Sequence, residues 1–266
     1  MTGTGSFVAA ARIPEVDRDR AAEVGLAEGA AALALLRRLG TADWARPTDC
    51  TEWDVRTLVS HLVAQCEDGI SVVTLLRREL AGRRRFPGLS GVDAHMAVQV
   101  AEHRDAAGPD LVERFAAEWP RAVRARRRRP AVLRRLPIDL GIPGVPRAPL
   151  RYLLDVIYNR DLWMHRVDLA RAAGHPFVVG EHDREIVAQV VRELAARWTG
   201  PPVALELTGP AGGSWTVGSG EPAAVVSADA IGYMRAVAGR DDGVALTLER
   251  GSEAVLPLIR AARTPF

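Results

Sequence analysis

At 266 residues the chain holds one large or two modest domains, because single hydrophobic cores stop growing at roughly 250–300 residues. A composition 48% hydrophobic and 26% charged is that of an ordinary folded protein, and 35 cations against 33 carboxylates leave a net charge of +2, too little to favour nucleic acid or a membrane surface. Every cation is an arginine. Two cysteines, Cys50 and Cys66, exclude a disulfide scaffold and point to a reducing, cytoplasmic setting. The apolar run 29–36 is far short of the roughly 20 residues that span a bilayer. The Phe7–Ala11 stretch has no basic region ahead of it and is cut by Arg12, so no signal peptide is expected.

In chain order, residues 1–19 show no sustained period and read as a loosely held N-terminal arm. From about Arg20 to Leu39, Val24, Leu26, Ala30, Leu33, Leu35 and Leu36 predict an amphipathic helix ending before Gly40. A turn-rich connection, Thr41–Trp53, leads to Asp54, a suitable N-cap for a second helix running through Leu58, Leu62 and Val63 toward Leu80. A third helical region covers Val92–Arg128, interrupted at Gly108–Pro109 and ended by Pro130. Leu136–Pro149 reads as a long connection, and Leu150–Ala173 as a fourth helix with Gly174 at its C-terminal cap. This pattern describes a four-helix bundle over residues 20–178. Residues 179–266 change character: a helix at Asp183–Trp198, strands at Val203–Thr208, Ser214–Val217, Ala223–Ser227 and Val244–Leu248, and helical pieces at Ala228–Ala238 and Ser252–Arg263. The fold class is α+β, a bundle followed by a small α+β domain.

The segment Asp161-Leu-Trp-Met-His165 carries the most chemistry. Spacing of four puts both side chains on one helix face about 6 Å apart along the axis, so a carboxylate and an imidazole can share one ligand. His61, on the second helix within Leu58-Val-Ser-His-Leu-Val63, would complete a three-ligand metal site with one coordination position open, the arrangement of a catalytic metal. The same residues also describe a helix-surface ion pair and a core histidine, and spacing alone leaves both readings open. Asp168, three residues beyond His165, suits a partner for the second imidazole nitrogen or a pair with Arg171. Arg56 and Arg166 are weak candidates for orienting an anionic cofactor or substrate.

Other features read as structural. The runs Arg83–Arg85 and Arg126–Arg129 sit at helix ends as solvated charge without interleaved aromatic residues, so no nucleic-acid surface is expected. Cys66 lies five residues from His61, about 140° around a helix, a poor geometry for a Cys–His pair, and both thiols read as inert. Trp44 and Trp53 read as packing aromatics, and His95, His103, His175 and His182 as ordinary surface or capping residues.

Asp43-Trp44, Pro47-Thr48, Cys50, Trp53, Val55-Arg56 and His61-Leu62 resemble the first signature of the mycothiol-dependent maleylpyruvate isomerase family, within the DinB/YfiT-like metalloenzymes. Asp161-Leu-Trp-Met-His-Arg-Val-Asp168 is similar to its second signature, and the C-terminal unit with Ala238-Gly-Arg240 looks like its sterol-carrier-like domain. The resemblance implies a DinB-like bundle with a divalent metal, zinc above all, held by His61, Asp161 and His165, and mycothiol as the second cofactor. Asp161 stands where the characterised isomerases carry the longer Glu. The implied activity is activation of a low-molecular-weight thiol for addition to an electrophilic small molecule. Addition to a cis double bond, rotation and elimination make an isomerase; a retained sulfur makes a thiol S-transferase. The alternatives are a non-catalytic zinc-binding regulator with a closed site, Cys66 or another histidine being the fourth ligand, and a carrier of apolar ligands in the C-terminal unit.

Overall fold

A computed structural model describes residues 7–139, 147–240 and 243–266. The chain divides into two compact units, one formed by Asp17–Val178 and the other by Val179–Phe266 together with the N-terminal segment up to Val16. The expected loose arm is therefore corrected for its described part: strand β1 (Val8–Ala9) pairs in parallel with Trp215 and Thr216, and a 3-10 turn over Ala10–Arg12 buries Ala10. A strand two residues long is too short to leave a period in the sequence. Residues 1–6 of that expected arm lie outside the described residues.

The Asp17–Val178 unit begins with α1 (Arg18–Leu36), where the Asp17 carboxylate accepts hydrogen bonds from the backbone N–H groups of Asp19 and Arg20. Asp54 caps α2 (Val55–Ile70) in the same way through Thr57. The single long helix expected from Asp54 toward Leu80 is broken at Ser71, whose backbone is extended and whose hydroxyl accepts from Thr74 to start α3 (Val72–Arg85). One serine cannot be distinguished from a mid-helix serine by apolar period alone. Next come α4 (Gly91–His103) and α5 (Gly108–Arg128), the latter with Pro109 in its first turn, where the missing N–H has no intrahelical partner to lose. After the short α6 (Ala131–Arg134), strands β2 (Pro137–Ile138) and β3 (Ala148–Pro149) pair antiparallel; the middle of the expected long connection, residues 140–146, lies outside the described residues. The fourth expected helix consists of α7 (Leu150–Tyr152), a π-helical turn over Leu153–Ile157 and α8 (Tyr158–Ala173), which Gly174 ends in the left-handed conformation at φ 66°. Among the described residues no helix is long and apolar enough to cross a membrane.

Helices α1, α2, α5 and α8 surround one core that includes Leu36, Leu58, Leu62, Leu111, Phe115, Trp119, Leu162 and Leu169, while α3 and α4 pair with each other and α4 also packs on α2. Of the arginine run at the end of α5, Arg127 and Arg128 are the exposed charge expected from the sequence, but Arg126 and Arg129 are not. Arg126 is buried with its guanidinium over the rings of Trp119 and Tyr158, and Arg129 donates to the Gly69 and Ile70 carbonyls that end α2. A helix C-terminus offers those carbonyls without intrahelical partners, and a planar five-donor group satisfies them.

In the second unit, α9 (Glu181–Arg197) precedes β4 (Val203–Thr208), β5 (Gly213–Val217), β6 (Ala224–Asp229), α10 (Ala230–Val237), β7 (Thr247–Gly251) and α11 (Leu256–Ala261). The sheet order is β1-β5-β4-β6-β7, with β4 antiparallel to β5, parallel to β6, and β6 antiparallel to β7. Val203, Leu205 and Leu207 turn inward as their alternation predicts. The strand expected at Val244–Leu248 sits further on, with Leu248 opposite Val226 and Gly251, at φ 98°, opposite Ala224. Cross-strand register, which alternation cannot see, places it.

Close approach of α1 and α5 depends on Gly29. A Cβ built there would stand 2.0 Å from the Trp119 indole, whose Nε1 donates to the Gly25 carbonyl at 2.7 Å. Gly29→Ala is expected to lower stability by about 1–3 kcal/mol despite the better helix propensity of alanine. An unchanged or raised denaturant midpoint would show that Trp119 can step aside.

Candidate functional site

The site forms where one face of α2 meets one face of α8. On α2, His61 and Gln65 are four residues apart and share a face; on α8, Asp161, His165 and Asp168 do the same. The π-helical turn just before α8 inserts an i→i+5 step, which resets the phase at which the following residues present their side chains. His61 and His165 are buried, and Asp161 retains only 19% side-chain exposure.

The three sequence-predicted ligating groups come together. His61 Nε2 lies 3.8 Å from Asp161 Oδ2, His165 Nε2 lies 3.4 Å from Asp161 Oδ1, and the ligand atoms are all within 4.8 Å of one another. Each imidazole is held from behind. His61 Nδ1 is 2.8 Å from Gln99 Oε1, which as an acceptor places a proton on Nδ1 and turns Nε2 toward Asp161. His165 Nδ1 faces Asp168 Oδ2 at 3.3 Å, and the Asp168 carboxylate is fully buried. Gln65 Nε2 donates to Asp161 Oδ2 at 2.8 Å.

Electrostatics follow from this geometry. Burial alone would raise the Asp161 carboxyl, but the charge and close approach of His165, with a smaller contribution from His61, overcome it and hold the group well below the usual carboxylate range. Burial alone would lower His165, yet Asp161, with smaller contributions from Asp168 and Cys50, raises it well above the ordinary imidazole value. Two imidazole nitrogens and one carboxylate with aligned open sides form a donor set suited to a divalent cation of the zinc class.

The loop before α2 closes one side. Thr48 Oγ1 donates to the Trp53 carbonyl at 2.8 Å, and the Trp53 N–H returns to the Cys50 carbonyl at 2.7 Å. This tight fold places the Trp53 ring 5.1 Å from His61 and 6.3 Å from His165 by ring centroids. It also brings Cys50 Sγ to 3.9 Å from His165 Nδ1 and 3.7 Å from Asp168 Oδ2. The inert reading of Cys50 thus gives way to a place in the site. Cys66 stays apart from it, buried, and burial pushes its thiol up; it joins none of the metal-sized groupings among the described residues.

Behind His61 lies a polar network that no spacing announces. Gln99 Nε2 donates to Asp68 Oδ2 at 2.6 Å; Asp68 also takes Arg78 at 2.8 Å and His95 Nε2 at 2.8 Å. Arg78, 1% exposed, further binds Glu67 and Glu102, and His103 reaches Glu67 at 3.1 Å. His95 and His103 are therefore not the ordinary surface histidines the sequence suggests.

Neither weak arginine candidate faces the site. Arg56 donates to the Ala106 carbonyl at 2.7 Å and lies over the Trp44 ring, while Arg166 is buried in a forked pair with Glu28 at 2.7 and 3.0 Å and donates to the Val178 carbonyl. Being adjacent to His165 turns Arg166 about 100° away on the helix. Arg171 pairs with Asp49 at 3.0 Å. Gln65 was findable from its spacing of four after His61, whereas Gln99 comes from a helix that no motif marks.

Residues 26–170 match the model of the mycothiol maleylpyruvate isomerase N-terminal domain. The chain belongs to that family. Two crystal structures share its fold, one of a mycothiol-dependent maleylpyruvate isomerase and one of a histidine-to-alanine variant of that enzyme. Each is 16% identical, with a TM-score of 0.55 over 87% of this chain and 93% of the other. No protein of curated function matches the sequence. At this identity the structural likeness speaks for the α+β fold alone, while the family model covers the bundle that carries His61, Asp161 and His165.

The network behind His61 predicts acid sensitivity. Burial would raise Glu67, but hydrogen bonds from His103 and Arg78 outweigh it and bring it from the ordinary 4.5 to about 2. A carboxyl lowered on folding contributes stability that is fully present above its unfolded value and is lost as the pH falls from 4.5 toward about 2. Unfolding free energy measured across that window should fall less steeply in Glu67→Gln than in the unaltered protein; equal slopes would show that the carboxylate is not held by these partners.

Proposed function

We propose that this protein is a metal-dependent enzyme that activates a low-molecular-weight thiol, mycothiol, for addition to an electrophilic small molecule. The reaction class is that of a maleylpyruvate-isomerase-like isomerase or a thiol S-transferase. The observation that supports it most is the tautomeric order of the site: Gln99 and Asp168 engage the Nδ1 atoms, so both Nε2 atoms are directed at the Asp161 carboxylate. His61, Asp161 and His165 would hold the divalent metal, zinc by donor chemistry. When bound, such an ion supplies a Lewis acid that favours thiolate over thiol near neutral pH.

The chain's own residues set the conditions for that chemistry. Gln65 fixes one carboxylate oxygen of Asp161 by a hydrogen bond, which holds the short Asp side chain in place where relatives of the resembled type use a longer Glu. The indole of Trp53 stands beside both imidazoles and lends that side of the site an apolar wall. A thiolate sulfur that adds to a conjugated cis double bond leaves a single bond free to rotate. Expulsion of the same sulfur yields the trans isomer; retention, with the enolate carbon taking a proton from solvent, yields the S-conjugate.

Elemental analysis of the purified protein tests the ligand set. Stoichiometric metal in the unaltered chain, lost in His61→Ala and in His165→Ala, is the expected result, and retention of metal in both variants would end the proposal. Gln99→Leu, which leaves the ligands intact but removes the support of His61, should weaken metal affinity by about 10–100-fold. Incubation with mycothiol and conjugated electrophiles, followed by mass spectrometry, reads the chemistry. Isomer or adduct formed by the unaltered protein and absent with His165→Ala is expected, and a metal-loaded protein without turnover on any thiol would favour the regulator.

A further inference from the structure

His165 belongs to two groups of metal-binding side chains, one on each ring nitrogen. Its Nε2 faces Asp161 and His61, while its Nδ1, Asp168 Oδ2 and Cys50 Sγ form a separate triangle with edges of 3.3, 3.7 and 3.9 Å. Both groups meet the distances within which one cation can be shared. We propose that Cys50, Asp168 and Nδ1 of His165 constitute a second site, for a thiophilic divalent cation such as zinc or cadmium.

Size supports it. Tetrahedral binding at about 2.3 Å to sulfur and about 2.0–2.2 Å to nitrogen and oxygen sets donor atoms about 3.3–3.6 Å apart. The observed triangle exceeds that by a few tenths of an ångström at the sulfur corner, and Cys50 sits in the loop before α2 rather than on a helix, so the corner that must move is on the element with most freedom. Composition supports it as well: one thiolate, one imidazole and one carboxylate are a borderline-soft set that prefers zinc or cadmium to magnesium or calcium. Asp168 and His165 are buried but Cys50 is only partly so, which gives a cation an approach from the loop side. Binding replaces the Cys50 S–H proton and the His165 Nδ1–H proton, both released to solvent, by bonds to the ion. The His165 ring is left a neutral imidazole whose Nε2 still faces Asp161.

The second site does not depend on the function proposed for the first, and one probe separates them. Cadmium added to the full-length protein gives an ultraviolet thiolate-to-metal charge-transfer band only if a cysteine binds the ion, and the chain has two cysteines, Cys50 and Cys66. The band is expected in the unaltered protein and in Cys66→Ser, and its loss is expected in Cys50→Ser. It should persist in His61→Ala, a change that removes a ligand of the first site alone. Absence of the band in the unaltered protein, which requires no variant to fold, overturns the proposal. So does a band that survives Cys50→Ser, or one that vanishes in His61→Ala, which would make Cys50 a ligand of the first site. Loss of metal from the first site in His61→Ala with the band intact leaves the second site standing whatever becomes of the first.

Discussion

A carboxylate held ionised inside a helical bundle is the constraint around which this structure is arranged. Removing Asp161 from water costs several kcal/mol unless opposite charge and hydrogen bonds offset it. Here the offset comes from three directions: His165 on its own helix, and His61 and Gln65 across from α2. Because the compensating groups sit on two elements, α2 and α8 can pack in only one phase without leaving a charge unpaired. The packing of Leu58, Leu62, Leu162 and Leu169 between them is then chemistry-compatible as well as apolar.

Holding the imidazoles requires a further layer, and the helix pair α3–α4 provides it. Those helices add little to the apolar core; α4 carries Gln99 to His61 and His95 to Asp68, while α3 carries Arg78 into the same network. Each polar atom in such a buried arrangement strengthens its neighbours when paired and costs heavily when not. Through Gln99 this network fixes the Nδ1 side of His61 and so the direction in which its Nε2 faces.

An all-arginine cation set fits this plan. Arg78, Arg126, Arg134 and Arg166 are buried, and each works through its planar fork: Arg78 between Glu67, Asp68 and Glu102, Arg166 on Glu28, Arg134 on Asp155 and the Arg126 carbonyl, Arg126 between two aromatic rings. A lysine ammonium has neither the flat faces nor the spread of donors for these positions. Within a run that looks like solvated surface in one dimension, Arg126 and Arg129 thus serve as packing and as a tie to the end of α2 in three.

From the sequence alone came the helical periods, the caps at Asp54 and Gly174, the alternation of Val203–Thr208 and the two short motifs around His61 and Asp161–His165. These are local signals, set by spacings of two, four or seven residues, and periodicity reports them faithfully. The break at Ser71 and the π-helical turn ahead of α8 escaped because a local change of hydrogen bonding leaves the apolar period intact. The two-residue strand β1 and the register of β7 escaped because each depends on a partner distant in the chain. For the same reason Arg166 looked available until Glu28, 138 residues away, claimed its guanidinium, and Cys50 looked inert until the loop folded it against His165. Spacing tells which side chains share a face; only the packing of one helix on another decides what that face meets.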